Sequence, residues 1–360
     1  MVNVTSQPSR VLARIENGVG RLTVNRPEAI NAIDLGMVLE IERALEGWSE
    51  DSEVSVVLLD GAGERGLSAG ADVRALYGTL SAGQEEEAMA FFRAEYALDA
   101  FIAEYPKPIV AIADGVTMGG GIGLAGHASL RVVTERSKLA MPETRIGFTP
   151  DAGGSWLLAR SPGRLGEYLG ITAATMTAAD AIHAGFADLF VPSDRIESLR
   201  QALVAGAGSN PVETVRSFAQ TPGASVLAAE QEWIDDVFSA DDLDEISRRL
   251  AATGRVELLA GLSPMSMAVT LESICSARRL PGIREALAQE YALVDWFVTT
   301  QPDLPEGIRA QLVHKDRDPR WSPPRIEDLP AGLAARALAH RPRRPLWDER
   351  PFSGPALSDE

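Results

Sequence analysis

Two glycine-rich segments of the chain have spacings that accompany catalysis or cofactor binding in other proteins. Gly121, Gly123 and Gly126 follow the apolar run PIVAIAD and spell G-x-G-x-x-G, the pattern of loops that bind a dinucleotide. Residues 66–70, GLSAG, spell G-x-S-x-G, in which Ser68 would be the nucleophile of a serine hydrolase. The first pattern predicts hydride transfer with NAD, and the second predicts acyl transfer through serine.

The sequence around each segment argues against both interpretations. A dinucleotide loop opens a crossover helix of about a dozen or more residues, but only GIGLAGHAS precedes the next predicted strand, LRVVTE. Glu135, which ends that strand, lies 14 positions after Gly121, whereas the dinucleotide pattern places its acidic residue about 20 positions on. The hydrolase serine follows its strand directly, but GAGERGL separates Ser68 from the predicted strand VSVVLLDG. Both interpretations remain as weaker alternatives, with Ser68 expected to be a loop residue.

The two glycine-rich segments share one physical property. Each is a turn between a predicted buried strand and a predicted helix, and such turns expose backbone N–H groups. Two N–H donors from separate loops can converge on one oxygen and form an oxyanion hole. Glycine permits the close approach that this requires. The shared chemistry is therefore hydrogen bonding of the backbone to a carbonyl oxygen.

A glutamate on an apolar helix face is a further candidate. The segment EEEAMAFFRAEYALDAFIAEY is a predicted helix. One of its faces carries four residues at the spacing i, i+4, i+7 and i+11: Phe91, Glu95, Leu98 and Ile102. A carboxylate in such a stripe is unfavourable unless it is paired or protonated, and burial raises its pKa. Glu95 is therefore expected to be an acid or a hydroxyl-binding group, or else a salt-bridged core residue beside Arg93 or Arg145.

Composition and charge exclude several classes of protein. The 360 residues are 45% hydrophobic and carry a formal net charge of -17, which disfavours binding to nucleic acid. Cys275 is the single cysteine, so neither an internal disulfide nor a multi-thiolate metal site is expected. His127 is expected to be a core histidine rather than a metal ligand. The opening MVNVTSQPSR has no apolar core, and no uninterrupted membrane span follows, so we expect a cytoplasmic protein.

The predicted elements place these residues in an α/β layered fold. Two strands joined at Asn17-Gly18 begin the chain, and predicted strands and helices then alternate, which favours right-handed crossovers. We predict an α/β core over residues 1–192, a helical region over 193–337, and a loosely ordered tail rich in Pro and Arg over 338–360.

Several motifs together closely resemble the crotonase (enoyl-CoA hydratase/isomerase) superfamily. They are NRP with NAI (residues 25–33), SAGAD (68–72), KPIVAIADGVTMGGG (107–121) and MPETRIG (141–147). FFRAEY, TPDAGG, SPMSMAVTL and EGIRAQLVHKDRDPRW are similar to the 3-hydroxyisobutyryl-CoA hydrolase subgroup, which extends the resemblance to about Asp328. The resemblance implies a spiral of ββα units with a C-terminal helical region, assembled as a homo-oligomer, a trimer or hexamer.

The resemblance also implies a site for an acyl-CoA. The N–H groups of Ala71 and Gly120 would form the oxyanion hole for a thioester. The implied CoA-binding residues are Arg26, Ala29, Ala69, Asp72, Val73, Gly119 and Lys315. CoA enters as part of the substrate, and no other cofactor and no metal is implied.

The acidic residues point to the subgroup. Hydratases of this superfamily place one glutamate where this chain has Gly123 and a second where it has Glu143. The hydrolase subgroup keeps the acid at Glu143 and adds those at Asp151 and Glu95. Glu143 would attack the thioester or act as general base, unless it is only an exposed strand-end carboxylate. Asp151 would bind the substrate hydroxyl or assist proton transfer, although it could also cap the helix SWLLA.

The implied activity is hydrolysis of 3-hydroxyisobutyryl-CoA, or a close 3-hydroxyacyl-CoA, to free acid and CoA, a step of valine catabolism. The first alternative is an enoyl-CoA hydratase or isomerase that uses Glu143 alone. The others are an acyl-CoA-binding protein without activity and the NAD-dependent dehydrogenase suggested by the glycine pattern.

Overall fold

Nine strands form two sheets in the described part of the chain, which in this computed structural model comprises residues 9–206 and 208–347. In chain order the strands are β1 (Val11–Glu16), β2 (Val19–Val24), β3 (Val56–Gly61), β4 (Gly66–Ser68), β5 (Ile109–Ala113), β6 (Val116–Met118), β7 (Leu130–Val133), β8 (Lys138–Ala140) and β9 (Leu189–Phe190). The large sheet has the order β1-β2-β3-β5-β7-β9, and the small sheet has the order β4-β6-β8.

All strand pairs are parallel except the first, which is the predicted hairpin. Asn17 and Gly18 at its turn both have positive φ, 46° and 81°, as a two-residue turn of type I′ requires. All five residues of β5 are buried, which explains why PIVAIAD reads as an apolar run without alternation.

Sixteen α-helices surround and extend these sheets within the described residues. They are α1 (Leu35–Ser49), α2 (Val73–Ser81), α3 (Glu85–Ala103), α4 (Gly120–Gly126), α5 (Gly154–Leu158), α6 (Leu165–Thr172), α7 (Ala178–His183), α8 (Ile196–Ala205), α9 (Pro211–Phe218), α10 (Val226–Ala229), α11 (Gln231–Phe238), α12 (Leu243–Ala252), α13 (Pro264–Ala277), α14 (Ile283–Thr300), α15 (Asp303–Ile308) and α16 (Leu333–Leu338). None of these helices is long and apolar enough to span a bilayer.

The chain repeats one unit three times. After each of β3, β5 and β7 in the large sheet, the next strand, β4, β6 or β8, joins the small sheet, and helical structure follows. Because the three short strands are parallel, their carboxyl ends lie at the same edge. The loops that follow Ser68, Met118 and Ala140 therefore meet there, and they contain both glycine-rich segments and Glu143.

The helical region shares the core of the α/β part. One buried apolar cluster joins Phe92 and Tyr96 of α3 to Leu287 and Tyr291 of α14. A second cluster joins strand and helix residues on either side of residue 192. The helical region is thus placed to contribute side chains to a site formed by the strand ends.

The first part of the predicted tail is packed rather than loose. Arg93 of α3 donates to the main-chain carbonyls of Arg344, Pro345 and Leu346, and the Leu346 side chain is buried. The rest of the predicted tail, residues 348–360, lies outside the described residues.

Candidate active site

The loops after β4 and β6 bring the two predicted amide donors together. A Cβ atom built on Gly120 would lie 3.5 Å from the Ala71 nitrogen, and one built on Gly70 would lie 3.1 Å from the Gly120 nitrogen. Gly119 precedes α4 with φ 50° and ψ −124°, a conformation open to glycine but unfavourable for other residues. The glycines therefore serve close approach of two backbone segments, not the binding of a dinucleotide.

Both amides are available to a ligand. The neighbours of Ala71 bond to Ile33: the Ile33 amide donates to the Gly70 carbonyl (2.9 Å), and the Asp72 amide donates to the Ile33 carbonyl (2.8 Å). The Ala71 N–H consequently points to the opposite side of its segment. Gly120 is the first residue of α4, so its N–H has no acceptor within the helix. Among the described residues, neither amide donates to a protein acceptor.

Glu95 and Glu143 face these donors from two sides. A Cβ atom on Gly120 would collide with Glu95 Oε1, and one on Gly119 would lie 3.0 Å from Glu143 Oε1. Glu143 begins a 3-10 turn, Glu143–Ile146, after Pro142, and it is 5% exposed. It is therefore a buried residue at the site, and the alternative of an exposed strand-end carboxylate is wrong.

Glu95 is buried without a cation. It is 3% exposed, and neither carboxylate oxygen has a hydrogen-bond donor among the described residues. Arg93 bonds to Tyr291 and the tail carbonyls, and Arg145 bonds to the Thr172 carbonyl, so neither forms the salt bridge considered from the sequence. Burial, and then the charge of Asp151, raise the pKa of Glu95 well above its usual value.

Asp151 lies beside these two acids and is held by a tyrosine. The Tyr96 hydroxyl donates to Asp151 Oδ2 at 2.9 Å. Burial raises the pKa of Asp151 to about 7, and the Tyr96 hydrogen bond partly offsets this rise. The helix-cap alternative is wrong: α5 begins at Gly154, its N-cap residue is Gly153, and no side chain caps it.

Glu290 of α14 fixes the loop that carries Asp151. Its carboxylate accepts from the amides of Gly153 (2.7 Å) and Ser155 (2.8 Å) and from the Ser155 hydroxyl. Burial raises the pKa of Glu290 to about 8, although these hydrogen bonds oppose the rise. The helical region thereby sets the position of a residue that belongs to the α/β core.

The sequence interpretation missed three residues of this cluster: Tyr96, Asp99 and Glu290. Asp99 is fully buried one helical turn after Glu95, and its two carboxylate oxygens have no donor among the described residues. The signal for Asp99 was available, because positions 95 and 99 are i and i+4 on the same face. Glu290 likewise lies in an apolar stretch between Leu287 and Val294. Tyr96 had no polar signal, since a tyrosine is an ordinary core residue.

Except for Lys315, the predicted CoA-binding residues lie on the chain segments around Ala71 and Gly120. Arg26 forms an ion pair with Asp72 at 2.6 Å, and Ala69 donates its amide to the Ile30 carbonyl. Ala29 ends the 3-10 turn Pro27–Ala29, and Val73 begins α2 two residues after Ala71. Lys315 is exposed in a turn after the π-helical segment Arg309–Val313. Contact of these residues, and of Gly119, with CoA stays a prediction.

The serine and histidine candidates have structural partners. Ser68 is fully buried, and its hydroxyl donates to the Asn31 carbonyl and accepts from the Gly70 amide. His127 bonds to the Ala152 carbonyl, and burial lowers its pKa to about 4. The three other histidines bond elsewhere, so no described histidine is paired with Ser68. Within the described ranges, no three acidic, histidine or cysteine side chains are placed to hold one metal ion.

This arrangement is suited to the chemistry of an acyl group. Two amides can bind the oxygen of a carbonyl and stabilise the negative charge that develops on it. Glu143, which lies beside these amides, can attack the carbonyl carbon or remove a proton from water. Glu95 and Asp151, whose pKa values are raised, can hold a proton near neutral pH.

Comparison with known proteins agrees with this geometry. The family model described as enoyl-CoA hydratase/isomerase matches residues 19–338. The chain is 38% identical to "3-hydroxyisobutyryl-CoA hydrolase, mitochondrial" of Danio rerio, over 88% of this chain and 85% of that protein. It is 34% identical to "Probable 3-hydroxyisobutyryl-CoA hydrolase 3" of Arabidopsis thaliana, over 96% and 95% of the two chains.

A solved structure shows the same fold. The crystal structure of a carnitinyl-CoA dehydratase from Mycobacterium thermoresistibile has a TM-score of 0.89 and 41% sequence identity, and it covers 94% of this chain and 98% of its own. The predicted α/β fold, a crotonase-like spiral with a C-terminal helical region, is confirmed. With a family model that spans most of its length and relatives that cover nearly all of it, the chain belongs to the enoyl-CoA hydratase/isomerase family.

Proposed function

We propose that this chain hydrolyses the thioester of 3-hydroxyisobutyryl-CoA, or of a close 3-hydroxyacyl-CoA, to the free acid and CoA. The observation that carries the proposal is that the amides of Ala71 and Gly120, which donate to no acceptor among the described residues, lie beside the buried Glu143 and Glu95. The names of the relatives support this choice of substrate. The reaction would serve valine catabolism.

In this proposal, each step of the hydrolysis is assigned to a residue of the site. The thioester oxygen accepts hydrogen bonds from the Ala71 and Gly120 amides, which makes the carbonyl carbon more electrophilic. Glu143 then either takes a proton from the water that attacks this carbon, or attacks it directly to give an anhydride that water opens. On either route the tetrahedral oxyanion collapses and the C–S bond breaks. The CoA thiolate takes a proton from the neutral Glu95, which is replaced by the proton that the attacking water releases. The substrate hydroxyl bonds to Asp151 or Glu95.

The second candidate is a lyase that adds or removes water at a double bond. The 41% identity to a structure named a carnitinyl-CoA dehydratase favours it. Against it stands Gly123, because the hydratases that the sequence resembles place one of two catalytic glutamates at this position. The hydrolase proposal needs only one acid in that role, which Glu143 supplies.

The test measures thiol release from 3-hydroxyisobutyryl-CoA beside the loss of the conjugated absorbance of crotonyl-CoA. We expect the wild type to release CoA and the Glu143→Ala variant to lose at least about 100-fold in kcat, as for removal of a general base. Ser68→Ala serves as the matched control, and we expect it to keep most of kcat.

Other outcomes would decide between the alternatives. Hydration of crotonyl-CoA without thiol release would establish the lyase, and loss of thiol release in a folded Ser68→Ala variant would restore the serine hydrolase. Binding of acyl-CoA without either reaction would establish a binding protein. The trimer or hexamer stays a prediction. So does the cytoplasmic location, since the Danio rerio relative is named mitochondrial.

A further inference from the structure

Helix α3 packs two acids against two glycines of α4. Glu95 lies against Gly120, and Asp99, one turn later, lies against Gly123. A Cβ atom built on Gly123 would lie 2.6 Å from Asp99 Oδ1 and 2.9 Å from Asp99 Oδ2. The space that a side chain at position 123 would need is thus filled by a carboxylate from another helix.

Among the described residues, no group donates a hydrogen bond to either acid. Glu95 and Asp99 are 3% and 0% exposed, and their four carboxylate oxygens have no hydrogen-bond donor in the described part of the chain. Their Cβ atoms are about 5–6 Å apart by helix geometry, within reach of a carboxyl–carboxylate hydrogen bond. Two buried carboxylates at such a distance do not both stay ionised, because neither charge is solvated or paired.

The described side chains around this pair add negative charge and no cation. Asp151 on its loop and Glu290 on α14 are the ionisable groups that act on Asp99 besides Glu95, and the charges of Asp151, Glu290 and Glu95 also act on Glu143. Directly after α4, one turn beyond Gly123, the ionisable group is His127, and it bonds to the Ala152 carbonyl. The helices α1 and α2, which also pack on α3, bury only apolar side chains: Met37, Val38, Ile41, Leu45, Trp48 and Leu76.

We propose that Asp99 is a positioning residue that shares one proton with Glu95, so that the pair carries a single negative charge. The shared proton holds the Glu95 carboxyl group against Gly120, beside the two amide donors. Asp99 lies behind Glu95 and does not touch the substrate. Because loss of this last proton would leave two buried charges side by side, the pair keeps it to a higher pH than a lone carboxyl group would, and Glu95 can turn it from Asp99 towards the substrate.

This inference rests on the proposed hydrolysis, in which the neutral Glu95 bonds to the substrate hydroxyl or protonates the leaving thiolate. An amide at position 99 would donate an N–H to Glu95 without carrying a proton that can be lost. Glu95 would then ionise at lower pH, and the hydrolase would lose activity at a lower pH than the wild type. A residue with only a packing role would change stability but not this pH dependence.

The experiment compares the pH profiles of kcat/KM for the wild type, Asp99→Asn and a control, Glu87→Gln, which changes an exposed acid on the same helix. In Asp99→Asn we expect the alkaline limb to move to lower pH by about one unit, which is about a tenfold loss of rate above that limb. The profile of Glu87→Gln should superimpose on that of the wild type. An unshifted alkaline limb in a folded Asp99→Asn variant would overturn the proposal.

A second measurement does not depend on activity or on a variant. Carbon-13 NMR of labelled Glu and Asp side chains in the wild type should show Glu95 and Asp99 titrating as one coupled pair, with one proton kept to a pH well above the ordinary carboxyl range. Two independent titrations at ordinary carboxyl pKa values would contradict the shared proton. If the wild type releases no CoA, the proposed function fails, while the NMR titration still decides whether the pair shares a proton.

Discussion

The pKa values of the acidic residues at the site depend on the lack of cations around them among the described residues. Glu95, Asp99 and Glu143 are buried, and no described cation pairs with any of them. Burial without a counter-charge favours the protonated form, so it raises the pKa values of Glu95 and Asp99 well above those of surface carboxyl groups. Asp151 differs because Tyr96 donates to it, which keeps its pKa at about 7.

The first prediction concerns Tyr96→Phe. Because the Tyr96 hydrogen bond lowers the pKa of Asp151, its removal should raise that pKa above about 7. If Asp151 accepts the substrate hydroxyl in its ionised form, the acidic limb of kcat/KM moves to higher pH, and the rate at pH 7 falls. The measurement is the pH profile of thiol release.

Tyr105→Phe is the matched control for this prediction. Tyr105 lies two residues after the end of α3, and its hydroxyl donates to the Leu45 carbonyl at 2.7 Å. Both variants lose one tyrosine hydrogen bond, which is worth about 1 kcal/mol of stability. An equal shift of the pH profile in both variants would show that the effect is not specific to Asp151.

At the scale of elements, the site depends on how closely two helices approach. Two of the four glycines of α4, Gly120 and Gly123, let α3 bring its acids against this helix, and Gly119 turns the chain so that α4 begins at the oxyanion amide. The spacing G-x-G-x-x-G arises here from helix packing, since Gly126 faces Leu157 and Gly123 faces Asp99.

The second prediction concerns Gly123→Ala. In a helix with free space, glycine to alanine stabilises by about 0.5–1 kcal/mol. At position 123 the added carbon would meet Asp99 Oδ1 at 2.6 Å and the Ala152 Cβ at 3.0 Å. We expect the free energy of unfolding to fall by about 1–3 kcal/mol, as for overpacking, and thiol release to fall with it.

Gly47→Ala supplies the comparison, because an added Cβ at position 47 of α1 has no atom within 4 Å. Urea denaturation should show this variant to be more stable than the wild type. A stabilised and active Gly123→Ala variant would mean that Asp99 is free to move away, and the close packing of the two helices would not matter to the site.

At the scale of the whole molecule, the helical region and the α/β part form one structure around the buried acids. Glu290 reaches from α14 to the loop of Asp151, and Arg93 of α3 binds the backbone near residue 345. Because these acids are buried on folding, the free energy of unfolding depends on pH. A buried acid whose pKa is raised keeps its proton in the folded state at pH values where the unfolded chain has lost it.

The third prediction concerns the stability of Asp151→Asn. For a group whose pKa rises from 3.8 to about 7 on folding, stability is fully present below the lower value and is lost as pH rises through the higher value. The loss is at most about 1.4 kcal/mol per pH unit within this window. Asparagine does not titrate, so the variant should gain in stability relative to the wild type between pH 5 and 7. Urea denaturation at several pH values measures the free energy of unfolding of both proteins. If this free energy depended on pH in the same way for the wild type and the variant, the prediction would be contradicted.

Local sequence determined the elements and the backbone part of the site. The hairpin at Asn17-Gly18, the buried strands and the helix over residues 85–103 follow from turn chemistry and hydrophobic periodicity, which act over short distances. The glycine-rich turns pointed to exposed amides, and Glu95 on an apolar stripe pointed to a buried acid. The resemblance of the motifs identified the family and the positions of Glu143 and Asp151.

Tertiary structure decided which side chains meet. Asp151 follows a Pro and precedes two glycines, which by itself favours a helix cap, but packing of α3 places the Tyr96 hydroxyl at its carboxylate instead. Glu290 contacts a loop 137 positions earlier in the chain, and Asp99 fills the space beside Gly123. Contacts between residues so far apart depend on the packing of whole helices, which no local pattern contains. The sequence therefore fixes the elements and their polar residues, while packing decides the pairing and the protonation of the acids.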